Sequence, residues 1–573
     1  MEVIIKYNGD IKSIEERLNV RAEALSDSYG VIEIPQERLA ELYALPETED
    51  IELPKRLYVG SSYQISSSCI APVQNKNRYD LKGRGVITAI IDSGIDYTHL
   101  DFRNEDGSTR LISIWDQTIN GSPPQGFYKG TEYSREMINE ALQSTEPFEL
   151  VPTRDFVGHG TAVAGIAAGN GAASSGQNTG AAPQCDIVAV KVGRRGNDFF
   201  AQSTDIMRAV KYVTDKARSM NEPVAINLSF GMNEGAHDGH SLFEEYLAQA
   251  ANLWKNVIVA PTGNEGSAGH HYSGRVVQGQ TKEIEFFTAS GIERFYISLW
   301  KNFADSFSFE LIFPSGLSSG IIDIESQYKT IRTGGLVMNA VYGQPRRYSV
   351  SQEIYIEVYA DRQASGGTIS AGDWLLRLIP SSIVDGRIEA WLPTLEEVSS
   401  RTYFSIPDSG NTMTLPSTAE KLIRVAGYND RIGSIAPFSG VGADVCTGRI
   451  PDIEAPAVNI ISAAVGGGYD SFTGTSFAAP FVTGSAALLM EWGITNGNSP
   501  FFYGERIKAF LRLGARRRTG TKYPDPAFGY GRLCLEASLA YAIRYAEGAG
   551  IPSLTDILRA PYQEPLQEVY TNG

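Results

Sequence analysis

The sequence predicts an α/β fold: a parallel sheet covered by helices, preceded by a small α/β unit and interrupted by an all-β sandwich. Three observations carry this. Apolar runs at 85–91, 185–192, 223–230, 256–261 and 421–427 have the length and β-branched content of buried strands. Helical patterns at 159–169, 203–219, 241–254, 475–491, 503–514 and 534–547 alternate with them, as in a sheet covered on both faces. Between 275 and 405 this rhythm stops, and short alternating strands follow one another with only turns between.

The elements can be justified in chain order. In the first sixty residues, "MEVIIKY" and "YGVIEIP" alternate apolar and polar side chains as half-buried strands do. "DIKSIEERL" and "PQERLAELYAL" carry helical spacing, and "IELPKRLYV" reads as a last strand. "GSSYQISSSC" is small and polar, a linker by composition. The interrupting segment supplies "EIEFFTAS", "RFYISLW", "FSFELIF", "EIYIEVYA", "WLLRLIP" and "RIEAWL", the pattern of a β-sandwich. The α/β pattern resumes at "EKLIRVAGY". The expected divisions are 1–63, 64–272, 273–405 (the inserted sandwich) and 406–573.

At 573 residues, with 42% hydrophobic and 20% charged residues, the chain holds several domains and a large core. Its net charge of −16 argues against nucleic acid and against anionic membrane surfaces. The N-terminus has no basic start followed by an apolar core, so no signal peptide is visible and synthesis in the cytosol is expected. No run of 18 apolar residues suggests a membrane span. Cys69, Cys185, Cys446 and Cys534 have no zinc or redox spacing, and free, mostly buried thiols are expected. "HDGH" (His237, His240) and "GHH" (His270, His271) have no partner pattern of zinc-site strength and read as solvated loop histidines. "AVGGGYDSFTG" and "VGRRGND" lack phosphate-loop spacing, so no nucleotide is expected.

Four short stretches carry chemistry. "AIIDSGIDYTHLDF" places Asp92 at the carboxyl end of an apolar strand, and "DFVGHGTAVAGIAAG" places His159 at the start of an Ala- and Gly-rich helix. "GTSFAAP" places Ser476 at the start of another helix, and "VIVAPTGNEGSAG" places Asn264 in a turn after a buried strand. Each alone has a plain alternative, since strand-end Asp, turn Asn and helix-start Ser are ordinary caps and turns. Together they supply what acyl transfer needs. A serine hydroxyl is a poor nucleophile until a base takes its proton, and an imidazole can do so near neutrality. A carboxylate on the far ring nitrogen fixes the tautomer, and an Asn amide beside the Ser476 N–H can hold the developing oxyanion.

The blocks "DSGID", "HGTAVAG", "INLSFG", "GNEG" and "GTSFAAP", in that order, resemble the subtilisin family of serine proteases across roughly 64–272 and 405–545. The resemblance implies a subtilisin-like sheet, a triad of Asp92, His159 and Ser476, and Asn264 as oxyanion donor. It also implies a specificity pocket walled by Ser229, Phe230, Gly231, Thr262 and Gly263. Phe477 stands where many relatives have Met, and Thr262 stands where a smaller residue is common, altering the pocket rim. The insertion between the Asn and Ser blocks resembles the Csp subtilases of clostridia. Those carry a jelly-roll insertion and a retained propeptide, and process the precursor of a spore-cortex lytic enzyme during germination. On that resemblance residues 1–63 are a ferredoxin-like propeptide, cleaved near Tyr63–Gln64 and held as an inhibitor, and the chain is spore-associated. The resemblance allows calcium, for which no ligand loop is identified, and names no other cofactor. The partners it implies are a protein substrate and the chain's own propeptide. The competing expectation is a pseudoprotease that binds proteins while silenced by its propeptide; the complete set of triad residues speaks against it.

Overall fold

The computed structural model describes residues 2–24, 28–52, 63–193, 201–323, 325, 328–344, 349–361 and 367–548. It divides into two compact units, Met1–Gly60 and Ser61–Gly573. The first unit has strands Glu2–Tyr7, Arg21–Ala24, Tyr29–Glu33 and Thr48–Glu52, with helices Ile11–Leu18 and Leu39–Tyr43. The strands form one antiparallel sheet in the order second, third, first, fourth. This is the βαββαβ arrangement that the ferredoxin-like expectation requires. Asp10 starts the first helix by accepting from the Lys12 N–H at 3.0 Å, and Val3, Ile5, Ile14, Ile32 and Leu42 fill the core.

In the second unit the central sheet contains β1 (Ile87–Asp92), β2 (Leu111–Asp116), β3 (Asp186–Lys191), β4 (Val224–Leu228), β5 (Asn256–Pro261) and β6 (Ile423–Asn429). Their order is β6-β5-β4-β1-β3-β2, all parallel, with Ile453–Pro456 adding to β6. The sheet is not wholly parallel. Thr131–Ser134 pairs antiparallel with β2, and Ser434–Ile435 with β6. These short edge strands lie at the rim, where a two-residue or hairpin partner leaves no long apolar run to read. β2 ("LISIWD") is as long as its neighbours, but polar residues flank it closely and hide the apolar run.

Helices cover both faces. Ser203–Met220 and Leu242–Ala251 begin with capping boxes, Gln202 with Asp205 and Ser241 with Glu244. α1 (His159–Ala168) and α2 (Ala479–Met490) are different: α1 from Gly160 onward, and all of α2, are buried. They have no polar face because they run through the core rather than over it. The helical stretch Thr475–Thr495 is long and apolar enough to cross a membrane by composition, but its apolar window is 89% buried within the fold.

The insertion forms a six-stranded and a four-stranded antiparallel sheet. Ser351–Ala360 alternates strictly between buried and half-buried positions, and Phe286, Ile297, Phe309, Ile356, Trp374 and Leu376 form the shared core. Two strands, Tyr328–Thr333 and Leu336–Tyr342, were not expected from sequence.

Two sequence expectations are corrected. A disulfide joins Cys69 to Cys534, while Cys185 and Cys446 are free. A pairing across 465 residues leaves no spacing signal; it arises because the segment after the linker packs on the C-terminal helix. His237, His270 and His271 are not solvated: each is at most 2% exposed. His237 and His271 both stack on Trp391, at 4.1 and 4.8 Å, and the His237 contact joins the insertion to the central domain.

Candidate active site

Asp92 closes β1, in the middle of the sheet. The strand is buried throughout, so the carboxylate leaves it at the carboxyl edge, where parallel sheets gather function. Asp92 Oδ1 accepts from the Ser93 N–H at 2.7 Å and lies 2.8 Å from His159 Nδ1. That contact places the proton on Nδ1 and leaves Nε2 as the basic edge of the ring. Burial pulls the imidazole pKa down. The charge and hydrogen bond of Asp92 push it up, helped by Asp155 and Glu396, and the net result lies above the ordinary histidine value.

His159 is placed by its helix, and the helix start is placed by Asp155. Asp155 Oδ1 accepts from Gly158 N–H at 2.9 Å and from Ser93 Oγ at 2.8 Å. Asp155 Oδ2 accepts from the N–H and the hydroxyl of Thr161 at 2.9 and 2.7 Å. One buried carboxylate thus ties the first turn of α1 to the residue after Asp92. Gly160 permits the approach: a Cβ there would sit 2.1 Å from the Gly94 carbonyl oxygen. Asp155 opens the stretch "DFVGHGTAVAGIAAG", and an acidic residue just ahead of a helix start is the sequence signal for this role.

Ser476 lies half-buried in the turn Thr475–Phe477 that leads into α2. Its hydroxyl has no hydrogen bond among the described residues, so it is not bonded to His159 Nε2 in this arrangement. Ligand-free catalytic pairs are often loose in this way. The next residue, Phe477, packs its ring 5.1 Å from that of His159. Asn264 Oδ1 accepts from the Thr475 N–H at 3.0 Å and its hydroxyl at 3.1 Å. Those two bonds fix the orientation of the amide and leave Nδ2 as its donor edge. Asn264→Ala is expected to lower kcat by about 10²–10³ with little change in KM, the usual loss for one oxyanion donor. Steady-state kinetics on a peptide substrate checks it; a change confined to KM would contradict the role.

Of the expected pocket residues, Ser229 donates to the Ser476 carbonyl at 3.1 Å and receives Asn227 Nδ2 at 2.8 Å. Phe230 is half-buried and Gly231 exposed, just past the end of β4. Thr262 does not shape the rim: it is buried, with its hydroxyl 3.3 Å from Ser439 Oγ. The side chain that does lie between the walls is Thr414. A Cβ on Gly231 or Gly263 would meet its Oγ1 at 2.5 or 2.4 Å. Thr414 lies 151 positions from Gly263 and 183 from Gly231 in sequence, so no local pattern could have shown it. Thr414 is buried and its side chain takes up the space between the two glycines, which does not favour a side chain as large as the tyrosine expected at Tyr63. Thr414→Gly is expected to raise kcat/KM for a Phe or Tyr residue before the scissile bond about tenfold relative to Ala, since each methylene-sized change in a pocket is worth about 10–200-fold. An unchanged ratio would place the pocket elsewhere. Tyr63 and Gln64 open the short helix Tyr63–Ser67; their side chains, and residues 53–62, lie outside the described residues.

A model of the subtilase family matches residues 83–531, and a model of the Csp protease B prodomain matches residues 1–55. The solved CspB protease of Clostridium perfringens is 35% identical, with a TM-score of 0.76 over 84% of this chain and 98% of that one. The PIII-type proteinase of Lactococcus lactis subsp. cremoris (strain SK11) is 23% identical over the whole chain, which spans 30% of that protein. Serine protease AprX of Bacillus subtilis (strain 168) is 30% identical over 33% of the chain and 36% of its own length. The chain belongs to the subtilase family, on its Csp branch.

Proposed function

We propose that the protein is a serine endopeptidase that works through an acyl-enzyme. His159 Nε2 takes the proton of Ser476 Oγ as it attacks the substrate carbonyl, and returns it to the leaving amine. Asp92 holds the imidazole in the required tautomer and stabilises its charged form. Asn264 Nδ2 and the Ser476 N–H receive the oxyanion. The observation that carries this reading is the 2.8 Å Asp92–His159 pair, together with an Asn264 amide locked onto the residue before Ser476. The first unit is read as a prodomain that the enzyme cuts from itself near Tyr63–Gln64 and retains as an inhibitor. The substrate is read as a protein precursor, of the kind exemplified by a spore-cortex lytic enzyme.

Labelling by a fluorophosphonate probe, with mass spectrometry of the adduct, tests the nucleophile. The expected result is an adduct on Ser476 and none in Ser476→Ala. Equal labelling of both proteins refutes the assignment. N-terminal sequencing of the purified chain tests self-cleavage: a new terminus in the linker is expected in the parent and not in Ser476→Ala.

A further inference from the structure

The insertion reaches the site through one short turn. Leu395 N–H donates to Glu265 Oε1 at 2.9 Å, and Glu265 Oε2 also receives Asn233 Nδ2 at 3.2 Å and lies 2.6 Å from His270 Nδ1. Glu397 N–H and Val398 N–H both return to the Thr394 carbonyl. The turn 394–398 is therefore pinned to the residue directly after Asn264. At its tip, Glu396 Oε1 accepts from Asn264 Nδ2 at 3.3 Å. The group that would hold the oxyanion is thus occupied by a carboxylate carried on the insertion.

Two negative charges cannot share that donor. When the tetrahedral intermediate forms, its oxygen needs the N–H that Glu396 holds and meets the charge of Glu396 nearby. Glu396 has no ion-pair partner among the described residues, nor does its neighbour Glu397, nor Glu234, which faces Glu397. Arg294, whose charge reaches Glu234 and Glu397, is itself paired with Glu357 at 3.6 Å. Glu396 is exposed and also faces His159, whose charged form it favours; a guanidinium or ammonium on the substrate would draw Glu396 off Asn264 and neutralise it in one charge-assisted contact. We propose that Glu396 is a specificity-determining residue that favours substrates carrying Arg or Lys beside the scissile bond, releasing Asn264 for the oxyanion when that cation binds. This rests on the reading of Asn264 as the oxyanion donor.

Matched peptides test it, with Arg or its neutral isostere citrulline at each of the two positions on either side of the scissile bond. The full chain, Glu396→Gln and Glu396→Ala are compared. In the parent, Arg is expected to raise kcat/KM about tenfold or more over citrulline at one of these positions. In both variants that ratio falls toward one, and the citrulline peptide is cut faster than by the parent. A parent with no preference, or a ratio that survives both substitutions, overturns the inference. Fluorophosphonate labelling of the same preparations separates the two failures. Labelled Ser476 with an unchanged ratio refutes the role of Glu396 alone, whereas absence of labelling both in the full chain and after release of the cleaved prodomain refutes the catalytic reading beneath it.

Discussion

His159→Ala is expected to lower kcat by about 10⁶-fold, to the level that binding and the oxyanion site sustain alone. The size follows from the position of the ring. Nδ1 is committed to Asp92 at 2.8 Å, so the unused edge of the imidazole is the base available to Ser476. The first turn of its helix is held by the buried Asp155, and the following glycine fits against the Gly94 carbonyl, so the position of the ring is fixed by its helix. Ser476→Ala should cost the same amount, and the double variant no more than either alone, because the two act as one unit. Independent, multiplying losses in steady-state kinetics would contradict a shared proton transfer.

Asp92→Asn is expected to lower kcat by about 10⁴-fold while leaving the fold intact. Asp92 Oδ1 accepts two N–H groups, from Ser93 and from His159. An amide that keeps its oxygen toward both loses the charge; one that turns its NH2 toward the ring forces the wrong tautomer. The pH profile gives a second readout. Asp92 is what lifts the imidazole above its ordinary value against the effect of burial. The acid limb of kcat/KM in the parent should therefore lie above about 6.5. Catalysis needs neutral His159, so activity grows as pH rises through that limb. In Asp92→Asn burial acts with less opposition and the limb moves down. A limb that stays in place would show that Asp92 does not set the charge of the ring.

The parts of this protein legible in its sequence are those written in short range. Buried parallel strands such as Ile87–Asp92 and Asn256–Pro261 are continuous apolar runs, and the helices at 159–168 and 479–490 follow turns rich in glycine. Asp92, His159, Asn264 and Ser476 stand out because each sits at the end of such an element. The rest depends on contacts between distant segments. Thr414 fills the space between Gly231 and Gly263, and Glu396 reaches Asn264 from the far end of the insertion. Cys69 finds Cys534, and His237 and His271 are buried against Trp391 rather than exposed in loops. Polarity alone points those histidines to solvent; Trp391, which faces His271 across the same sheet and reaches His237 from the insertion, buries them instead.

Four side chains have to converge on one carbonyl, and a crystal structure of the phosphonate-inhibited enzyme measures this directly. The expected result is phosphorus bonded to Ser476 Oγ, His159 Nε2 within hydrogen-bond reach of it, and the phosphonyl oxygen about 2.7–3.1 Å from Asn264 Nδ2. A phosphonyl oxygen directed away from Asn264, with His159 turned from the adduct, would contradict it.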